Sequence, residues 1–193
     1  FILCSPLNLL GPEGAALIRK RERVSSAPGS FLNEAARDGI EDRLNMVNKT
    51  FQAAAIISGA ANYWHTLLPD ATLIQDDDTL TLEEGSKDLV IHAMCLHWSN
   101  DPVGQMIQSI RALRPDGLFL AVCFGGETLK ELRTSLAQAE ADLYGGLSAR
   151  IAPMGEIRDL GALLQRAGFA MPVADRVPLL GSYEPPMELE QDL

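Results

Sequence analysis

The sequence predicts an α/β fold, with a mostly parallel sheet covered by helices on both faces. Three short apolar runs, at residues 53–57, 71–75 and 89–95, each lead into polar or helical sequence. This is the pattern of strands in a covered parallel sheet. A fourth run, residues 118–124, contains no charged or amide side chain, which is typical of a strand buried on both faces. We therefore expect the fourth run in the interior of the sheet.

Helices are predicted wherever apolar residues recur at helical spacing. Such stripes lie in residues 31–47, 101–113, 129–143 and 157–167, and residues 62–68 can form a short helix. The helical segments alternate with the apolar runs from residue 51 onward, which is the order expected of a parallel sheet with crossover helices.

Turn and cap residues set the ends of these elements. Asp101 followed by Pro102 is a typical helix start, and Gly168 suits the left-handed residue that ends the last helix. The sequence Arg-Pro-Asp-Gly at residues 114–117 predicts a turn between a helix and the fourth apolar run. A late strand is expected at residues 169–177, where prolines confine it to a sheet edge or a bulge.

We expect two parts in the chain, an N-terminal helical segment at residues 1–50 and an α/β domain at residues 51–193. The first residue is not Met, and the sequence stops where another helix would begin. The domain is therefore expected to be incomplete at its C-terminus.

Composition narrows the classes of function. Apolar residues make up 47% of the chain and charged residues 22%, which are ordinary values for a globular domain. The formal net charge of −10, with one dense basic cluster at residues 19–23, argues against a nucleic-acid substrate. No apolar run reaches the length that spans a bilayer. Three widely spaced cysteines, Cys4, Cys95 and Cys123, predict neither a disulfide framework nor a zinc site and fit a reducing compartment.

Several segments in the second half of the chain resemble a known family. They are Leu-His-Trp-Ser-Asn-Asp at 96–101, the Arg-Pro-Asp-Gly turn, Phe-Gly-Gly-Glu-Thr-Leu at 124–129, Gly-Gly-Leu-Ser at 145–148 and Arg-Ala-Gly-Phe at 166–169. Together they resemble the methyltransferase-like family of mitochondrial complex I assembly factors and their bacterial relatives. The resemblance implies a Rossmann-like class I methyltransferase fold, S-adenosylmethionine as cofactor, and a protein substrate or assembly partner.

The expected cofactor loop departs from the family's pattern. Class I methyltransferases usually follow their first strand with an acidic residue and a Gly-x-Gly-type loop, because glycine lets the backbone approach the cofactor closely. The sequence here is Ile-Ile-Ser-Gly-Ala-Ala-Asn at 56–62, which keeps Gly59 but has no acidic residue. Between Gly59 and Asp88 there is room for one strand where relatives place two. We therefore expect a fold that lacks one βα unit.

Five residues are candidates for the cofactor site: Gly59, Asp76, Asp77, Met94 and His97. Ligands of open α/β sheets bind outside the carboxyl ends of the strands, where these residues are expected. The resemblance implies an acidic residue at the adenine, for which we favour Asp77, although a solvated turn is an equal alternative. His97 has a pKa range suited to acid–base work, but it could equally pack beneath a helix cap.

No catalytic residue and no metal ligand is assigned from the sequence. The paired carboxylates could attract a divalent cation, but the sequence places no further ligand near them. We interpret His65 and His92 as structural residues, and Cys95 and Cys123 as small core residues.

The leading hypothesis is an S-adenosylmethionine-dependent methyltransferase that acts on a protein. Direct methyl transfer rests on positioning, so it demands no nucleophilic side chain from the enzyme. The alternative is a non-catalytic assembly or scaffolding protein that kept the fold and lost the cofactor. A nicotinamide-dependent oxidoreductase is disfavoured because no G-x-G-x-x-G motif follows a predicted strand. The family that the chain resembles is also linked with hydroxylation.

The expected compartment is the cytoplasm of a bacterium or the mitochondrial matrix of a eukaryote, and the oligomeric state is left open.

Overall fold

The structure, a computed structural model, describes residues 31–148 and 154–182. Several sequence features lie outside the described residues, namely Cys4, the basic cluster at 19–23 and the tail at 183–193. The described elements follow one another along the chain as α1 (Phe31–Met46), β1 (Ala54–Ile57), α2 (Ala61–Trp64), β2 (Thr72–Ile74), β3 (Lys87–Ala93), a 3₁₀ turn (Leu96–Trp98), α3 (Pro102–Ala112), β4 (Leu113–Val122), α4 (Lys130–Tyr144) and α5 (Ile157–Ala167).

The four described strands form one parallel sheet in the order β2-β1-β3-β4. Along its middle, Ile56 of β1 is in register with Ile91 of β3, which is in register with Leu120 of β4. The predicted α/β class with a parallel sheet is confirmed. The described chain also places a single strand between Gly59 and Asp88, as the spacing predicted.

Side chains alternate between the two faces along each strand, so the apolar strands present apolar side chains on both faces. Helices cover both faces of this sheet. On one face, Ala36 and Ile40 of α1 pack in the same cluster as Ile56 and Ile91. On the other face, Leu160 of α5 packs with residues of α3 and with the side chains of β4 that point the opposite way. The apolar stripes of α1, α3 and α5 are therefore confirmed as core-facing.

The expectation that residues 118–124 lie in the interior of the sheet is wrong for the described chain. β4 is the last strand in the sheet order and pairs there with β3 alone. Residues 118–121 are half-buried, whereas Val122 is 1% exposed. Helices cover the two faces of β4, and that burial accounts for the unbroken apolar run. An unbroken apolar run indicates that both faces of a strand are covered. It does not indicate whether the strand has a neighbour on each side.

The Arg-Pro-Asp-Gly turn is an excursion within β4. Leu113 pairs with Lys87 and Leu118 pairs with Leu89, so residues 114–117 loop out of the ladder. Asp116 has a φ of 64°, a left-handed conformation that Asp adopts more readily than most residues. Its carboxylate lies 2.8 Å from Lys49.

The predicted late strand at residues 169–177 is wrong, since this segment has no strand in the structure. The segment packs against β4 at its start, where Phe169 stacks on Phe119 with ring centroids 4.8 Å apart. Met171 is 90% exposed and Val173 is 83% exposed. A strand needs a neighbour to which its backbone is hydrogen-bonded, and this segment pairs with none of the four described strands. By contrast, Gly168 ends α5 with a φ of 103°, as predicted.

Candidate functional site

All five predicted site residues lie at the carboxyl ends of the parallel strands, the side of the sheet called the carboxyl edge below. Gly59 follows β1, Asp76 and Asp77 follow β2, and Met94 and His97 follow β3. Parallel strands end on the same side, so their loops converge there. The topology therefore gathers the five candidates at the carboxyl ends of the strands, and their part in binding a cofactor stays a prediction.

The structure separates the roles of the two neighbouring carboxylates. The Asp76 side chain is fully buried, whereas Asp77 is exposed. The amide nitrogen of Gln105 donates to Asp76 Oδ1 at 3.1 Å and to the backbone oxygen of Asp77 at 2.9 Å. Asp76 is thus turned into the domain, and Asp77 faces the solvent side of the edge.

His97 lies in the 3₁₀ turn between two aromatic rings. Its ring centroid is 4.5 Å from that of Trp98 and 4.8 Å from that of Phe124. Both ring nitrogens are buried and have no hydrogen-bonding partner among the described residues. Burial, and to a lesser extent the charge of the neighbouring His92, lowers the pKa of His97 to about 3. The imidazole of His97 is therefore uncharged at neutral pH, and its part in a cofactor site stays a prediction.

The loop after β1 is closed by its own side chain. Ser58 is 3% exposed, and its hydroxyl accepts a hydrogen bond from the Ala60 amide at 3.1 Å. Gly59 between them is half-buried.

Met94 is the first residue beyond β3 and has a φ of 53°. A methionine is uncommon in this left-handed region, where such strain is often found at functional sites. Its backbone amide donates to Val122 of β4 at 2.9 Å. The kink turns the chain from β3 into the 3₁₀ turn that carries His97.

Sequence reasoning missed two residues that shape this edge, Phe124 and Gln105. The sequence predicts Phe124 as the end of a strand, whereas in the structure its ring contacts His97. Gln105 is fully buried on α3, and Ser109, one turn later, is buried as well. Polar residues at this four-residue spacing, beside the apolar stripe, were the available signal for a buried polar contact.

The residues at the edge fit part of S-adenosylmethionine. The buried, unpartnered nitrogens of His97 are polar atoms that a ligand could satisfy, and unsatisfied buried groups are rare in folded proteins. The exposed carboxylate of Asp77 suits cationic or hydrogen-donating ligand groups. The closed loop after β1, in contrast, keeps a single glycine for the approach of the ligand.

Comparison with known proteins places the chain among methyltransferases. A family model described as "Methyltransferase domain" matches residues 24–121, which extend from before α1 into β4. In the described residues, no helix is long and apolar enough to cross a membrane.

Curated relatives match over most of this chain. A mitochondrial protein of Homo sapiens named arginine-hydroxylase NDUFAF5 is 38% identical over 76% of the chain and 43% of its own length. A malonyl-acyl-carrier-protein O-methyltransferase of Laribacter hongkongensis is 35% identical over 64% of the chain and 39% of its own length. The chain therefore spans less than half the length of either relative.

A solved structure shares the fold. A SAM-dependent methyltransferase from Thermotoga maritima superposes with a TM-score of 0.50 at 12% identity, over 81% of this chain and 80% of its own. At that identity the likeness concerns the fold alone, and it agrees with the parallel sheet described above. The family model and the sheet together identify the chain, which belongs to the methyltransferase domain family.

Proposed function

We propose that this domain binds S-adenosylmethionine at the carboxyl edge of its sheet and supports methyl transfer to a protein substrate. One observation carries the proposal, the convergence of Gly59, Asp77, Met94 and His97 on that edge. Membership of the methyltransferase domain family and the names of the relatives support the same activity.

Each residue has a role that its surroundings allow. Asp77 is exposed at the edge and accepts hydrogen bonds from ribose hydroxyls or the adenine amino group. His97 offers one donor and one acceptor nitrogen from a fixed aromatic wall. Asp76, buried behind Asp77, holds the loop through Gln105.

The chemistry needs little more than placement. S-adenosylmethionine supplies an electrophilic methyl group on a sulfonium. The residues of the edge bind and orient the ligand, and the aromatic side chains exclude water from it. Positioning of this kind accounts for a large part of the rate of such transfers. Because its pKa is lowered to about 3, His97 is neutral at pH 7 and positions the ligand by hydrogen bonding.

A second function is favoured by a specific observation, the closed loop after β1. The Ser58 hydroxyl accepts a hydrogen bond from the Ala60 amide in the loop after β1, where class I methyltransferases usually have a Gly-x-Gly-type loop. A protein that kept the fold but lost the cofactor would serve as an assembly or scaffolding partner.

The relatives named arginine-hydroxylase add a third possibility, in which the substrate is hydroxylated and not methylated. Because those relatives are named as mitochondrial proteins, we place a eukaryotic bearer of this chain in mitochondria as part of the same proposal.

The proposal is tested by binding of labelled S-adenosylmethionine in equilibrium dialysis, with two matched variants. Asp77→Ala removes the proposed acceptor, and Asp70→Ala removes an exposed carboxylate near the start of β2, at the opposite end of the strand. We expect Asp77→Ala to weaken binding by about 5- to 150-fold, the equivalent of about 1–3 kcal/mol, and Asp70→Ala to leave it unchanged. Equal effects of the two variants would show that the ligand binds elsewhere, and no binding by the unmodified protein would favour the scaffold.

The acceptor chemistry is tested separately by mass spectrometry of a candidate protein substrate. The measurement distinguishes an added methyl group, which supports the proposal, from an added oxygen atom, which would assign hydroxylation instead.

A further inference from the structure

A cluster of three metal-ligating side chains lies inside the domain, beneath Asp77. The side chains of Asp76, His92 and Cys95 are each fully buried. One carboxylate oxygen, one imidazole nitrogen and the thiol sulfur lie within 4.8 Å of one another. Nothing in the proposed cofactor chemistry uses His92 or Cys95, so the cluster calls for a separate explanation.

Gln105 orients this cluster through a hydrogen-bond chain that fixes the form of His92. Its amide nitrogen faces two acceptors, Asp76 Oδ1 and the backbone oxygen of Asp77. Its amide oxygen is therefore the atom that lies 2.9 Å from His92 Nε2. Since an amide oxygen can only accept, Nε2 carries the proton, and Nδ1 presents a lone pair. Histidine ligands of metals are held in this way by a carbonyl group on the second nitrogen.

The lone pair of His92 Nδ1 faces the sulfur of Cys95 at 3.3 Å. His92 lies near the end of β3, and the left-handed turn at Met94 brings Cys95 back beneath the strand. Two ligand atoms on one zinc ion, at about 2.0 Å and 2.3 Å from it, lie about 3.5 Å apart when the geometry is tetrahedral. The two atoms are thus already near the spacing that a shared ion requires.

We propose that Asp76, His92 and Cys95 form a buried binding site for a divalent cation of the zinc type. A thiolate, an imidazole and a carboxylate suit zinc, whereas magnesium and calcium prefer oxygen ligands alone. Binding releases the thiol proton of Cys95 to solvent, so two anionic ligands balance the dication. A neutral assembly is favourable in a buried position, where an isolated charge is costly.

The site would join the segment after β2 to the end of β3. Gln105, which lies on α3 and is hydrogen-bonded to two of the ligands, would connect that helix to the site. Its role is structural: it holds in place the loop that presents Asp77 and the turn that presents His97. A fourth position on the ion is filled by water or by the second Asp76 oxygen. The site requires no S-adenosylmethionine, so it stands or falls independently of the proposed function.

The test uses the full chain, purified with a phosphine reductant, stripped with a chelator and titrated with Co²⁺ as a spectroscopic substitute for zinc. We expect one ion per chain, with the intense visible bands of tetrahedral cobalt and a near-ultraviolet sulfur-to-cobalt charge-transfer band. Cys95→Ser should lose the charge-transfer band. Cys123→Ser, a matched change at the other buried cysteine of the described chain, should keep it. Gln105→Met should keep the band and weaken cobalt binding by about 10- to 100-fold.

X-ray absorption of the zinc-loaded, unmodified protein makes the test independent of whether the variants fold. A coordination shell with one sulfur together with nitrogen and oxygen ligands supports the site. A shell of oxygen and nitrogen alone overturns it, as does a charge-transfer band that survives Cys95→Ser. Absence of saturable cobalt binding to the stripped protein also overturns it and leaves the cluster as a hydrogen-bonded part of the core.

Discussion

Replacing His97 with Phe should stabilise the ligand-free protein. The ring of His97 lies between Trp98 and Phe124, and both of its nitrogens are buried without a partner among the described residues. Phe keeps the aromatic contacts and removes the unsatisfied polar atoms. Leaving a buried polar group unsatisfied costs about 1–3 kcal/mol, so we expect a gain of that order at pH 7.5.

The gain should grow as the pH falls, because of the lowered pKa. In the folded chain the pKa of His97 is about 3, against an ordinary value of 6.5. Between these two pH values the unfolded state binds more protons than the folded state. Because of His97, the protein therefore becomes less stable as the pH falls from 6.5 toward 3. A pH of 5 lies about 1.5 units below the ordinary pKa of 6.5 that His97 has in the unfolded chain. At about 1.36 kcal/mol per unit, the free energy of unfolding is therefore lower by about 2 kcal/mol at pH 5. The Phe variant does not carry this cost.

Urea unfolding of chelated, ligand-free protein at pH 7.5 and pH 5 measures both effects. His92 titrates in the original protein and in the variant alike, so its contribution cancels in the difference. A His97→Phe variant that is no more stable at pH 7.5 and shows no larger difference at pH 5 would refute the reasoning. It would mean that solvent already satisfies the ring nitrogens. The same variant should bind S-adenosylmethionine more weakly, which is the usual relation between stability and function at a binding site.

Two further predictions concern the core and the last helix. Ile91→Ala should cost about 2–5 kcal/mol in denaturant unfolding, because Ile91 is fully buried in a central strand. Leu120→Ala should cost clearly less, because Leu120 is half-buried on the edge strand; equal losses would contradict this description of the sheet. In thermal unfolding, Gly168→Ala should destabilise by about 1–2 kcal/mol because of its φ of 103°. Gly161→Ala, within α5 and with no atom near the added Cβ, should instead stabilise by up to about 1 kcal/mol, and a loss there would count against the account of α5.

Periodicity in the sequence was enough to predict the helices and the four strands. Core-facing stripes such as that of α1 and buried runs such as β1 follow from which side chains must leave water. It was not enough to predict which strand lies at the sheet edge, because the faces of β4 are covered wherever it lies in the order. The failed strand at residues 169–177 has the same origin, since a strand exists only beside a hydrogen-bonding partner.

The gathering of the candidate residues at the strand ends was predictable, but the arrangement of their side chains was not. Strand ends place Asp76 and Asp77 at the edge, yet adjacent residues of an extended chain point in opposite directions, and only the structure shows which one is buried. The buried cluster brings Asp76, which follows β2, close to His92 and Cys95 near the end of β3. Gln105 of α3 links Asp76 to His92 by hydrogen bonds. These contacts join residues that are distant in sequence, so no local pattern predicts them.

The most direct test of the central claim is calorimetric titration of the unmodified protein with S-adenosylmethionine and with S-adenosylhomocysteine. The proposed edge site predicts saturable binding of both ligands, since Asp77 and His97 contact groups that the two share. It also predicts that Gly59→Val weakens both, because a branched side chain would enter the space where the ligand approaches the backbone. No saturable heat and no thermal shift at millimolar ligand would contradict the claim and favour a scaffold that has lost its cofactor.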